Sequence, residues 1–328
     1  MTRGRFSRPA ALAMLALAAA LALALGACGR GSPGGSTAAS AASAVASPSA
    51  AQPALAPAAS GSPDAPATSA SPAAFRRLFA YDAAEPLGFT VVHRVDWGGV
   101  TVRRVGYVSA GSRVTGYLSL PPGRGPFPAV LYAPGVSCRA SMFAADAAAL
   151  QRAGVAVLAV DPPDGRPPYA EPVSLDPATV AAAHVRYVTD LRRGLDLLAS
   201  LSRVDAQRVG YVGYSWGGYA GGLLAGLRAP VKAYVLTYAG ADWVAADPAA
   251  TKGFLDPAAA VAGSRGAAFL FQDGVADALF SRASVTRYYA AAAGPKTLRW
   301  YPGGHGDLWQ EPGGAAVRLH RRWLERVL

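Results

Sequence analysis

Arg208-Val209-Gly210-Tyr211-Val212-Gly213-Tyr214-Ser215-Trp216-Gly217-Gly218 is the stretch from which the rest of the chain can be read. Residues 208–212 predict a buried strand, and the small-residue run 219–227 predicts a helix. Between them lies G-x-S-x-G, a sharp strand-to-helix bend that lifts a serine hydroxyl clear of the backbone. Such a bend is strained, and the positions two residues before and after the serine must be small. Gly213 and Gly217 fill them. In a chain of 328 residues with 37 glycines the pattern is weak alone, so its context decides its meaning.

Working outward, residues 99–109 and 113–120 are β-rich runs joined at Ala110-Gly111-Ser112, which predicts an antiparallel hairpin. A short strand is expected over 127–132, then a helix over 141–153 stopped by Gly154, then a continuous apolar strand over 155–160. Asp176-Pro177 offers an N-cap and a proline at the first helical position; Val185, Val188, Leu191, Leu195 and Leu198 mark one face of the long helix that follows. Further strands are expected at 231–238, 267–271 and 297–301, with helices at 281–292 and 314–327. Continuous apolar strands alternating with amphipathic helices predict an α/β fold. The sheet is mainly parallel, covered by helices on both faces, with the N-terminal antiparallel hairpin at its edge. Residues 75–328 form this one domain.

A serine nucleophile needs a base to take its proton and a third group to orient that base. Two histidines follow Ser215. His320 lies in the final helix and reads as a surface or helix-packing residue. His305 lies in Pro302-Gly303-Gly304-His305-Gly306, a flexible loop just past the last strand, where a base can reach back over the sheet edge. Asp273 and Asp277 both follow the strand at 267–271; Asp273 can instead cap the turn, and Asp307 reads as a loop cap. Backbone donors must also face the developing oxyanion, and the Trp216 N–H, at the start of the helix after Ser215, is the first.

Several stretches carry a family resemblance. They are Phe79-Ala80-Tyr81-Asp82 with Pro86-Leu87, Gly125-Pro126-Phe127-Pro128-Ala129, residues 190–196, residues 205–218, residues 274–277 and Gly304-His305-Gly306. The domain resembles α/β-hydrolases of the dienelactone hydrolase, acetyl xylan esterase and prolyl oligopeptidase catalytic-domain kind. The resemblance implies a Ser/Asp/His esterase or peptidase with no cofactor; separately, with only His93, His184, His305 and His320 and no Cys/His cluster in the sequence, no structural zinc is expected. The family's G-x-x-D pattern matches Gly274 and Asp277, which favours Asp277 over Asp273 as the acid, and gives the set Ser215, Asp277 and His305. The second oxyanion donor comes from the loop after 127–132, where many relatives have His-Gly. Here the loop reads Ala133-Pro134-Gly135-Val136-Ser137, and the Val136 N–H takes that place. Dienelactone hydrolases use cysteine where this chain has Ser215.

A small ester is the expected substrate. Peptidases of the prolyl oligopeptidase type carry a large β-propeller, and only residues 75–125 precede the core strands here. A peptidase or amidase, and a non-catalytic envelope binding lipoprotein, stand as the alternatives. Tyr214, Trp243 and Trp309 are candidate substrate contacts, and the loops 162–172 and 239–255 are where contacts are expected.

The N-terminus reads differently. Arg3, Arg5 and Arg8 precede an apolar run over 10–27 that leads into Leu25-Gly26-Ala27-Cys28. This is an export signal, and its end resembles the lipobox of bacterial lipoproteins. By that resemblance residues 1–27 are removed, Cys28 is acylated, and the protein is an exported lipoprotein held on a membrane surface of the cell envelope. Cleavage without acylation and an uncleaved membrane anchor are the competing readings. Residues 28–74, rich in Ala, Ser, Pro and Gly, predict a disordered tether. Acylation of Cys28 leaves Cys138, the other cysteine, without an intramolecular disulfide partner.

Residues 1–74 hold four arginines and one aspartate, so 27 basic and 19 acidic residues remain in the domain. No Lys/Arg run with interleaved aromatics accompanies that excess, which argues against nucleic acid as a partner.

Overall fold

In the computed structural model the run Phe127–Ala133 forms strand β4, and its side chains show why the central strands are apolar throughout. Ala129, Leu131 and Ala133 enter one core while Val130 and Tyr132 enter another. Alternate side chains of a strand point to opposite faces, so a strand covered on both sides has no polar positions to spare. The structure describes residues 71–166, 177–242, 255–309 and 314–328. The signal and nearly all of the tether read from the sequence lie outside them.

Chain order is α1 (Pro72–Leu78), β1 (Thr90–Asp96), β2 (Thr101–Ser109), β3 (Ser112–Ser119), β4, α2 (Ala144–Arg152), β5 (Ala156–Val160), α3 (Pro177–Ser200), β6 (Val204–Tyr214) and α4 (Trp216–Gly226). Then come β7 (Ala233–Thr237), α5 (Pro257–Val261), β8 (Ala268–Gly274), α6 (Arg282–Ala291), β9 (Lys296–Tyr301) and α7 (Ala315–Val327). The described strands make one sheet in the order β1-β2-β3-β5-β4-β6-β7-β8-β9. β5 through β9 with β4 pair in parallel, and β1, β2 and β3 are antiparallel.

The mixed, mostly parallel sheet agrees with the sequence reading, and the antiparallel part is larger than a hairpin. β1 adds a third strand, solvent-facing almost throughout, so its burial pattern gave no alternation to read. Helix α1 begins at Pro72 after its N-cap Ser71, so residues 72–74, expected within the tether, are helical. Among the described residues no helix is long and apolar enough to cross a membrane.

Helix α3 packs on one face of the sheet, through Val188, Leu191, Leu195 and Leu198. Its stripe is rotated from the one expected: His184 and Tyr187 are fully buried, whereas Val185 is half-buried. On its other side Arg193, 1 % exposed, donates to the carbonyls of Glu85 (2.6 Å) and Val108 (3.4 Å) and pairs with Asp196 (3.0 Å). Tyr81 also donates to Asp196 (2.9 Å), and Arg192 donates to the Phe79 carbonyl (2.6 Å). The stretches 79–87 and 190–196 are thus one interlock that straps the N-terminal segment onto α3.

On the opposite face α7 is tied to α2. His320 is fully buried there, with its Nε2 2.7 Å from Asp146 Oδ2, and Arg321 and the Tyr132 hydroxyl bond the same carboxylate. Burial alone would raise the Asp146 carboxyl, but His320 beside it brings it below the usual range. His320 is therefore a packing residue of the core rather than of the surface. Cys138 is also buried and is disulfide-bonded, which corrects the expectation that no disulfide forms.

Candidate active site

β6 ends at Tyr214 and α4 begins at Trp216, so Ser215 alone joins them. Ser215 has φ 53° and ψ −112°, a backbone conformation that side chains rarely adopt. It is held by its N–H bond to the Thr237 carbonyl (2.8 Å) and by the Tyr219 N–H bond to its own carbonyl (2.9 Å). The flanking glycines are required by contact: a Cβ at Gly213 would lie 2.3 Å from the Gly217 oxygen, and one at Gly217 would lie 1.9 Å from the Ala133 oxygen. The bend is possible because nothing larger than hydrogen sits at either place.

His305 Nε2 lies 3.0 Å from Ser215 Oγ, and His305 Nδ1 lies 2.8 Å from Asp277 Oδ2. The structure therefore brings together the three residues singled out from the sequence. The Asp277 side chain is 1 % exposed and that of His305 7 %. Asp277 Oδ1 accepts from the N–H groups of Leu279 (2.7 Å) and Phe280 (3.0 Å). Burial raises its pKa, but His305 and these donors outweigh burial and leave it below the usual carboxylate range. A carboxylate so placed fixes the proton on Nδ1 of His305 and leaves Nε2 to accept from Ser215.

The two loops that bring acid and base together are tied to each other. Val275 N–H donates to the Tyr301 carbonyl (2.9 Å) and Ala276 N–H to that of Gly303 (3.0 Å). Asp307 closes the histidine loop by accepting from Gly304 N–H (2.7 Å), the cap expected of it. Asp273 ends β8 rather than starting the loop, and its Oδ1 accepts from Gly274 N–H (2.8 Å). It is 1 % exposed, and burial together with Asp277 nearby pushes its carboxyl far above the usual range. Asp273 is thus a neutral neighbour of the acid, and among the described residues no hydrogen bond joins it to His305.

The oxyanion side is built from the start of α4 and the loop 133–137. Gly217 N–H and the Tyr187 hydroxyl both donate to the Pro134 carbonyl (3.0 Å each). Ser137 N–H donates to Asp164 Oδ2 (2.6 Å). Those bonds pin the loop beside Ser215, while the N–H groups of Trp216 and Val136 have no acceptor among the described residues. The Trp216 ring is 5 % exposed, and its Nε1–H donates to His184 Nδ1 (2.8 Å). Burial lowers the His184 pKa to about 3, so its Nδ1 keeps a lone pair for that bond.

Of the expected substrate contacts, Tyr214 is 3 % exposed and packs against Tyr238 and His305 (centroids 5.8 and 6.0 Å), which places it beside the base. Trp243 and the Trp309 side chain lie outside the described residues, although Trp309 ends a short 3-10 helix, Asp307–Trp309, three positions past Gly306. The sequence reading missed His184, Tyr187 and Tyr238, the last of which accepts from Leu308 N–H (2.8 Å) and packs on the His305 ring (4.9 Å). A signal for the first two existed, since 184, 187, 188 and 191 share one helix face.

Residues 93–241 match a family model described as esterase FrsA-like. Among curated proteins no sequence match reaches significance. Acetyl xylan esterase from Paenibacillus sp. R4 superposes with a TM-score of 0.65 at 22 % identity, covering 80 % of this chain and 96 % of that one. Acetyl xylan esterase 1 from Thermoanaerobacterium sp. JW/SL YS485 gives 0.64 at 18 %, covering 77 % and 92 %. The Pyrococcus horikoshii acylaminoacyl peptidase gives 0.57 at 15 %, covering 69 % of this chain but 42 % of that one. The fold is that of the α/β-hydrolases.

Proposed function

We propose that the chain is a serine esterase that cleaves a small carboxylic ester through an acyl-enzyme on Ser215. The observation that carries this reading is the unbroken chain of contacts from Ser215 Oγ to His305 Nε2 and from His305 Nδ1 to Asp277. His305 takes the hydroxyl proton as Oγ attacks the ester carbonyl, and Asp277 stabilises the imidazolium. The N–H groups of Trp216 and Val136 receive the oxyanion, each such donor lowering the barrier by about 3–4 kcal/mol. His305 then returns the proton to the departing alcohol, and water attacks the acyl-enzyme by the same route in reverse.

An ester is favoured over a peptide by coverage. This chain spans nearly the whole of the two esterases but 42 % of the acylaminoacyl peptidase. The test is Ser215→Ala, which should reduce hydrolysis of p-nitrophenyl acetate to the buffer rate; retained turnover would refute the nucleophile.

The proposal includes export and a lipid on Cys28, on the strength of residues 3–28. One sulfur cannot carry both a thioether lipid and a disulfide, so acylation of Cys28 and a disulfide on Cys28 exclude each other. Intact mass of the mature protein decides: a diacylglyceryl adduct lost in Cys28→Ser supports the tether, and an unmodified mass with no free thiol rejects it.

A further inference from the structure

At the end of the sheet opposite Ser215 lies an open groove of about 760 Å³. Four arginines line it, Arg94, Arg103, Arg152 and Arg203, with Thr101 and Gln151 between them and no carboxylate. Arg203 directly precedes β6 and Ser215 directly follows it, so this eleven-residue strand separates the two places by roughly 35 Å.

Arg94 and Arg103 face each other in register across β1 and β2. Like charges directly opposite on a sheet repel, and neither side chain meets a carboxylate among the described residues. The nearest acids in sequence are engaged elsewhere: Asp96 accepts from Gly99 N–H (3.1 Å) and Asp205 pairs with Arg208 (2.7 Å). The other two arginines are anchored by backbone. Arg152 donates to the Gly98 carbonyl, and Arg203 donates to those of Pro121 and Gly123. Arg203 Nε is shielded from solvent and has no acceptor among the described residues, an orphan donor in the wall of a basic groove.

We propose that this groove is a binding site for a ligand bearing several phosphate groups. Guanidinium groups match phosphate oxygens two bonds at a time, and four of them call for more than one anionic group. A polyphosphate would lie along the groove with one phosphate bridging Arg94 and Arg103, removing their repulsion, and another within reach of Arg152 and Arg203. The same chemistry is presented by phospholipid headgroups and by soluble oligophosphates. The site is independent of the esterase reading.

The test is calorimetric titration of the full chain with inorganic tripolyphosphate at low ionic strength. Wild type should bind saturably, and Arg94→Glu with Arg103→Glu should weaken binding by about a hundredfold. Arg322→Glu with Arg326→Glu, the same charge change on α7, should leave it unaltered. Should circular dichroism show the first pair unfolded, Arg94→Glu alone, at an exposed edge position, should weaken binding by about tenfold. No binding by wild type, equal binding by the groove variants, or equal loss in the α7 control overturns the site. Competition by phosphatidylglycerol vesicles but not by phosphatidylcholine vesicles identifies a headgroup as the source, and its absence identifies a soluble ligand.

Discussion

Trp216 joins two tasks in one residue, a backbone N–H free to meet an oxyanion and a ring locked in the core by His184. Removing that lock in His184→Ala leaves the indole N–H buried without a partner, which should cost about 1–3 kcal/mol of stability by denaturant titration. His184 also adds acid sensitivity. The unfolded chain takes up the imidazole proton near pH 6.5 and the folded chain only near 3, so its contribution is full above 6.5 and is lost as pH falls toward 3. The variant should therefore lose less stability than wild type over that interval. Asp273 behaves with the opposite sign. The folded state keeps its proton to about pH 9 while the unfolded state releases it near 4, so stability declines as pH rises between those values. Asp273→Asn, a neutral replacement, should flatten that decline, by up to about 1.4 kcal/mol per pH unit, and should keep esterase activity at neutral pH. Loss of activity would mean that an ionised Asp273 serves the triad.

At the scale of elements the site depends on how closely α4 approaches β4. Gly217→Ala would drive a methyl into the Ala133 carbonyl, so either the bend opens or the oxyanion loop moves. We expect a loss of at least 1–3 kcal/mol in stability, the usual order for overpacking, together with loss of hydrolysis of p-nitrophenyl acetate. A variant of full stability and activity would show that the contact is not needed. The glycines at 213 and 217 were legible in the sequence because their reason is local. The positions of His305 and Asp277 were legible because each follows Ser215 in the chain and lies in a glycine-bearing loop just past a strand. His184 was not, because a histidine among apolar positions on a helix reads as an irregularity until the neighbouring indole is known. Strand β1 was hidden for another reason: a strand covered on neither face has no pattern to display.

For the whole molecule, the strap of residues 79–87 onto α3 should set global stability without touching the chemistry. Arg193→Met removes the donors to the Glu85 and Val108 carbonyls and breaks the pair with Asp196, which keeps the Tyr81 hydroxyl, so a loss of about 1–3 kcal/mol is expected, with the KM for p-nitrophenyl acetate unchanged in the protein that remains folded. A shift in KM at unchanged stability would mean that the strap reaches the site. The sheet order and the tie between the acid and base loops converge on one hydroxyl, that of Ser215. The most direct test of its role as nucleophile is reaction of the full chain with a fluorophosphonate followed by peptide mapping. A single adduct is expected on Ser215, absent in Ser215→Ala and formed far more slowly in His305→Ala. An adduct on another residue, or undiminished labelling of Ser215→Ala, would contradict that role.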